Sequence, residues 1–406
     1  MPAVSSQSSF LSAKLRPVDS TRKRSLNVQL IALAAARLVL NTGLRFVYPY
    51  APALARGLSV RREDIYYLIT LRNLTGFLSP VFGPLSERYG RRAVLMLGMV
   101  IFAAGALLVV IWPTYWILGV CLCATGIAKI LYDPAMQAYV GDEVPYERRG
   151  QAIAITEYSW SLSLLVGVPL VGIVIQRQGW QAPFLWFAVG GIVAAIILWR
   201  TISTSEKRST ATTTLAQVVR LLREHHVVLY AVLYITLFVT ANEMLFIVFG
   251  GWMEDSFNLS LATLGIAAGV IGGAELLGES FAGWSVDRYG KRPVIIFTGF
   301  LTALCYLLLP FTSATLAGAM ITLFALFMAF EITIVGGIPL MTELVPGSRA
   351  VVMSIILAAM FAGRTLGSLL GPPVWNRLGF TGSGFVWAAV AAVSVLILLS
   401  RVHEEY

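Results

Sequence analysis

Eleven ionisable side chains stand inside segments that are otherwise apolar enough to cross a bilayer, and they are the natural place to look for chemistry. The first half of the chain holds Arg37, Arg45, Arg72 and Lys129 against Asp133 and Glu157; the second holds Glu243, Glu275, Glu279 and Glu331 against Arg364. A charge at the centre of a hydrocarbon layer costs at least about 2.5–3.5 kcal/mol unless it faces protein or water, so each is a functional candidate. Arg37, Asn41 and Arg45 step by four, as do Lys129, Asp133 and Gln137, and so do Glu275 and Glu279. Each set therefore lines one face of a helix. Two uses are open. The basic and acidic sets pair across an interface between halves, or they line a wet central cavity that binds solute and protons. A planar guanidinium beside an amide suits a carboxylate or phosphate, which makes Arg37, Asn41, Arg45, Arg72, Lys129, Asn242 and Arg364 the candidate substrate-binding set. A carboxyl that loads and unloads a proton is the simplest carrier for a proton gradient, and Glu243, Glu275 and Glu331 are the candidates, with Asp133 and Glu157 as alternates.

The elements that must position these groups follow from composition. Of 406 residues, 57% are hydrophobic and only 13% charged, with a mean hydropathy of +0.78, outside the range of soluble globular chains. A spanning helix needs about 20 residues. Such segments fall near 27–54, 64–86, 93–112, 115–140, 150–176 and 181–200, then near 227–253, 260–286, 293–311, 315–341, 349–375 and 381–401. The expected fold is all-α: a polytopic membrane protein with twelve transmembrane helices in two pseudo-symmetric six-helix bundles, 27–200 and 227–401. Residues 1–26, Ser-rich and basic, read as a disordered cytosolic tail, and 402–406 as a second short tail. The linker 201–226 carries an amphipathic surface helix, with Leu215, Val218, Val219 and Leu222 at i, i+3, i+4 and i+7. With the termini inside, twenty Lys and Arg residues lie on the cytosolic side and five on the other, which predicts cytosolic termini in the plasma (cell inner) membrane. The net charge of +9 is thereby explained by loops and not by nucleic acid. Cys121, Cys123 and Cys305 lie in apolar runs and suggest neither disulfides nor a metal site; no metal or cofactor is expected.

The spans are organised around a repeated basic turn. Gly83-Pro-Leu-Ser-Glu87-Arg88-Tyr-Gly90-Arg91-Arg92 returns 200 positions later as Gly283-Trp-Ser-Val-Asp287-Arg288-Tyr-Gly290-Lys291-Arg292. Asp142 before Val-Pro is likewise echoed by Glu343 before Val-Pro. Two halves are copies of one plan, and Gly90 and Gly290 are placed where a positive φ would turn the chain. This G-x-x-x-[DE]-R-x-G-[RK]-R pattern, occurring twice over nearly the whole chain after residue 26, resembles the loop 2/3 and loop 8/9 signature of the major facilitator superfamily of secondary transporters. The resemblance implies a site near the midplane between the halves, and a charge cluster at the cytosolic helix ends. There Glu87 and Asp287 would meet helix N-termini of the opposite half, Arg91 or Arg92 would pair with Asp142, and Lys291 or Arg292 with Glu343.

No G-x-x-x-x-G-K-[ST] motif is present, so a gradient is the expected energy source, and no HExxH or GxSxG motif points to an enzyme. The expected function is secondary active transport of a small organic solute by alternating access. Protons are the expected coupling ion, with sodium as the alternative, and the protein is expected to act as a monomer. Export of an amphiphilic or drug-like compound is favoured. Symport of an organic anion or zwitterion, or a membrane sensor or scaffold without transport, are the other readings. Glycines at 363, 367 and 371 predict close packing along the eleventh span, and Gly167-Val-Pro-Leu-Val-Gly172 predicts tight packing or a hinge in the fifth.

Overall fold

The protein is described by a computed structural model over residues 20–82, 85–145, 148–203, 215–345 and 348–402, the side chains of 20–25, 80, 81, 215–219 and 350 excepted. Among these residues the chain is helical and has no strand. Helices α1 (Ser20–Arg45) and α2 (Val47–Leu58) make one span bent at Phe46; α1 starts ahead of the expected boundary at 27. The second span is broken. It runs through α3 (Arg62–Leu74), a 3-10 turn over Thr75–Leu78, α4 (Ser79–Phe82) and α5 (Leu85–Tyr89). Long helices follow: α6 (Arg91–Ile111), α7 (Tyr115–Glu143) and α8 (Arg149–Leu162). A π-helical turn over Ser163–Gly167 links α8 to α9 (Val168–Gln178), and α10 (Ala182–Thr201) closes the first half. The amphipathic helix of the linker is α11 (Leu215–Glu224). The second half comprises α12 (His226–Phe257), α13 (Leu261–Tyr289), α14 (Lys291–Thr312), α15 (Leu316–Glu343) and α16 (Arg349–Arg401). Gly379 (φ 63, ψ −171) turns a corner within α16, so this run holds the last two spans.

Among the described residues ten helical stretches are long and apolar enough to cross a membrane. That figure counts α16 once and omits the broken second span, so the twelve spans of two pseudo-symmetric halves are all present. The second span fails as a continuous apolar helix because Arg72 and Asn73 sit in its middle and its last turns are irregular.

The repeated turn is built as its glycines require. Gly90 (φ 90) and Gly290 (φ 86) precede α6 and α14 in a backbone region that side chains with a Cβ rarely enter. Arg91 pairs with Asp142 (3.3 Å) and also donates to Ser86; at the second copy Lys291 pairs with Glu343. Arg92 instead lies over Trp199, and Arg292 donates to the Leu399 carbonyl. Both ion pairs stay within one half. Asp287 is exposed, Arg88 and Arg288 stack on the adjacent Tyr89 and Tyr289, and Gly283 meets open space. Glu87 is half-buried; Gly83 lies outside the described residues.

At the face away from the chain termini the halves are clamped together. Arg62 donates to Asp255 (2.7 Å), Arg56 pairs with Glu254, Asn376 donates to Glu63 (3.2 Å), and the Ala262 N–H donates to Gln176 (3.0 Å). Beneath this clamp α2 crosses α12 at Gly250, where a Cβ would collide with the carbonyls of Tyr48 and Pro49. The Tyr50 hydroxyl fills the space left by Gly172 and Gly265. The glycine stripe of the eleventh span packs against α12: a Cβ at Gly363 would come 2.7 Å from the Thr236 carbonyl, and one at Gly367 2.5 Å from Glu243 Cβ. Leu221 and Leu222 of α11 pack onto a cluster with Val228, Leu340 and Leu344, tying the linker helix to the second half; of its expected apolar face, Leu215, Val218 and Val219 lie outside the described side chains.

Gly250→Leu should therefore pry open the face away from the termini. In a background lacking the three native cysteines, a cysteine placed at Tyr50 is buried in the parent and should become reactive to a membrane-impermeant thiol reagent once Gly250→Leu is added. Labelling that stays at the parent rate would show that this crossing does not hold the face shut.

Candidate functional site

Three charge clusters meet along the axis between the halves. In the first, Arg37 of α1 is buried and reaches two helices at once: its Nε lies 3.0 Å from Asp133 on α7, and its Nη1 3.0 Å from Glu157 on α8 and 2.9 Å from the Thr156 carbonyl. Lys129 bonds the other Asp133 oxygen (2.8 Å) and donates to Asn41, whose amide nitrogen reaches Ser159 (3.4 Å). Two cations and two carboxylates thus balance within the first half. The four-residue spacings seen in the sequence are what put Arg37 and Asn41 on one face opposite Lys129 and Asp133.

The second cluster crosses between the halves. Arg45 holds Glu275 of α13 through both terminal nitrogens (2.6 and 2.7 Å), and both side chains are buried. Its Nη1 also donates to the Trp160 carbonyl (3.1 Å), and its guanidinium covers the Trp160 ring at 4.1 Å. Such a two-pronged pair is the strong form of an Arg–carboxylate contact. Among the described residues its Nε has no partner.

The third cluster uses a tyrosine as a shared ligand. Arg72 donates to the Tyr48 hydroxyl (2.7 Å), to Asn73 (3.0 Å) and to the Leu44 carbonyl, while Tyr48 donates to Glu243 of α12 (2.6 Å). Asn73 then reaches Glu243 (3.2 Å), Ser368 (3.3 Å) and the Arg364 carbonyl (3.4 Å). Arg72 and Glu243 are thereby linked through the Tyr48 hydroxyl and the Asn73 amide and not by an ion pair.

Three charged groups stand apart. Glu331 of α15 is buried against Gly278 and Glu279 of α13 accepts from Ser161 (2.6 Å), yet neither has a basic partner within ion-pair distance among the described residues. Arg364 of α16 has no carboxylate partner among them either; its guanidinium faces the Trp160 ring at 5.1 Å. Asn242, expected at the site, joins none of the three clusters and lies instead by the Tyr306 hydroxyl. The sequence reading missed Tyr48, Asn73, Trp160 and Ser161. Their signals were present: Tyr48 follows Arg45 by three, and Trp160 and Ser161 follow Glu157 by three and four, on the same helix faces.

Among the described residues no cluster of His, Cys, Asp and Glu could hold a metal ion. The arrangement can neutralise charge in the membrane interior and link the halves through Arg45, Tyr48 and Asn73.

Comparison with known proteins agrees with the fold. The profile of the Major Facilitator Superfamily matches residues 33–242 and again 231–405, one copy per half. An uncharacterised MFS-type transporter of Bacillus subtilis, YwfA, is 25% identical over 381 residues, covering 91% of each chain. The class C tetracycline resistance protein of Escherichia coli is 26% identical over 380 residues, 88% of this chain and 92% of that one. Among solved structures, a D-xylose-proton symporter superposes with a TM-score of 0.77 over 93% of this chain and 98% of its own, at 15% identity, a likeness of fold. With twelve spans, a duplicated turn and a profile match over both halves, the chain belongs to the major facilitator superfamily of membrane transporters.

Proposed function

We propose that the protein is a proton-coupled secondary transporter that exports an amphiphilic or drug-like solute by alternating access, and that it sits in the plasma membrane with both ends of the chain in the cytosol. The observation that carries the coupling is the contrast among the interior acids. Asp133, Glu157 and Glu275 are committed to Arg or Lys, and Glu243 to the Tyr48 hydroxyl, whereas Glu279 and Glu331 have no cation to release among the described residues. A carboxyl of that kind gains or loses a proton without first breaking an ion pair. Of the expected carriers this favours Glu331, and it adds Glu279, which was not among them, with Glu243 and Glu275 acting through the contacts they make. Export of a drug-like solute is supported by the tetracycline resistance protein among the relatives.

With the termini in the cytosol, the clamped face is the outer one, which supports reading this conformation as inward-facing. The outward-facing state then requires that Arg62–Asp255 and Asn376–Glu63 part while the terminal ends close. Arg45–Glu275 lies between these two ends and is the contact that both states must accommodate. A second reading, symport of an organic anion or zwitterion, is favoured by one observation only: Arg364 lacks a carboxylate partner among the described residues.

Two outcomes test the reading. In proteoliposomes, Glu331→Gln or Glu279→Gln should abolish transport driven by a pH gradient while leaving solute exchange at equal pH intact. If both variants still respond to the pH gradient, coupling runs elsewhere and a sodium gradient becomes the ion to apply. Separately, Arg45→Ala leaves the Glu275 carboxylate buried without its partner and should cost about 3–5 kcal/mol of stability. The Arg45→Ala/Glu275→Gln pair should recover most of that loss in denaturant melts of the purified protein. Equal destabilisation by the single and double variants would show that the loss comes from Arg45's contacts to Trp160 and not from an orphaned Glu275 carboxylate.

A further inference from the structure

The aromatic ring at the centre of the site is already a cation-binding surface. Three basic groups converge on Trp160: Arg45 at 4.1 Å, Arg364 at 5.1 Å and Lys129 at 5.2 Å from the ring centroid. Arg45 is held by Glu275, and Lys129 by Asp133 and Asn41, so both are fixed by carboxylates. Arg364 is not. Its backbone is pinned by Asn73, yet among the described residues its half-buried guanidinium has neither a carboxylate nor a side-chain hydrogen bond and rests on the indole from the opposite half. Cation–π attraction is worth most where water is excluded, and it sets no demand on the chemical identity of the cation.

The wall around this ring is acidic where water reaches it. The side chains of Glu157 and Asp133 are 38% and 22% exposed, whereas those of Arg37, Arg45 and Lys129 are 5%, 3% and 12% exposed. The cations are mostly buried behind their carboxylates. Ser161, the residue after Trp160, donates to Glu279, a carboxylate without a basic partner among the described residues, so this acid is tied to the same turn of α8 as the ring.

We infer that Arg364 is a tethered occupant of the substrate site, and that the solute is a lipophilic organic cation which displaces this guanidinium from Trp160 and takes Glu279 as its counter-ion. This rests on the transport reading above and adds the charge class of the solute. Until it is displaced, Arg364 covers the aromatic face that the solute would take. Displacement swings the freed guanidinium away on α16, an element of the opposite half, so solute binding is sensed across the interface.

The test is equilibrium binding to the purified full-length protein, without any gradient, of tetraphenylphosphonium and tetraphenylborate, two ions of one shape and opposite charge. The phosphonium should bind and the borate should not compete. Arg364→Ala, which removes the tethered competitor, should tighten phosphonium binding by about threefold or more, whereas Trp160→Leu should weaken it by about tenfold. Trp160→Phe, the gentler change, should keep part of the affinity and guards against a folding defect in the Leu variant. Preferential binding of the borate, binding of neither ion, or weaker phosphonium binding in Arg364→Ala would overturn the inference. Because no transport is measured, those results leave pH-driven transport in proteoliposomes to decide the coupling reading on its own.

Discussion

The structure depends on one contact, the two-pronged bridge from Arg45 to Glu275. Both side chains are almost fully buried, and they belong to opposite halves. Desolvating two ions is expensive and the gain from pairing them only about offsets it, so such a bridge is poor evidence of added stability. What it does impose is a penalty on separation. Any motion that pulls α1 from α13 must either hand the guanidinium another anion or let water in. Trp160 lies under that guanidinium and supplies a backbone carbonyl to it, so the aromatic centre of the site is positioned by the same bridge.

The remaining clusters differ in how firmly they are tied. Arg37, Lys129, Asp133 and Glu157 are balanced inside the first half and move with it. Arg72, Tyr48, Asn73 and Glu243 reach into the second half through hydroxyl and amide groups, contacts that exchange with water at lower cost than an ion pair. Glu279 and Glu331 are tied least. The gradation runs from ion pairs within one half, through hydroxyl and amide contacts between the halves, to carboxyls without a basic partner among the described residues.

Much of this was legible in the sequence. The duplicated turn, the twelve apolar runs and the positive-φ glycines at 90 and 290 follow from spacing and hydropathy, because those properties are local. The i, i+4 stripes correctly placed Arg37 with Asn41 and Lys129 with Asp133. What spacing could not supply was the pairing between helices: that Arg45 meets Glu275 while Arg72 meets Tyr48 depends on how α1, α3 and α13 cross. The irregular second span was also hidden, since Thr75–Leu78 reads as one more apolar stretch and only its tertiary setting, with Gly76 pressed against Phe361, shows the departure from regular helix. Asn242 was expected by symmetry with Asn41, but symmetry of position along the chain did not carry symmetry of contact.

That last asymmetry has a consequence for how the duplicated chain is specified. Moving Glu275 back by the 200-residue offset of the repeat lands on Thr75, close to Arg72. Two copies of the first half, facing each other as the two halves do here, would thus point Arg45 at a hydroxyl in a basic neighbourhood, with no acid to receive it. Two copies of the second half would bring Glu275 towards Leu245, two residues from Glu243. The backbone plan is interchangeable between the halves, but the buried charges are not, so the interface selects the unlike partner and discriminates against self-pairing of either half during assembly.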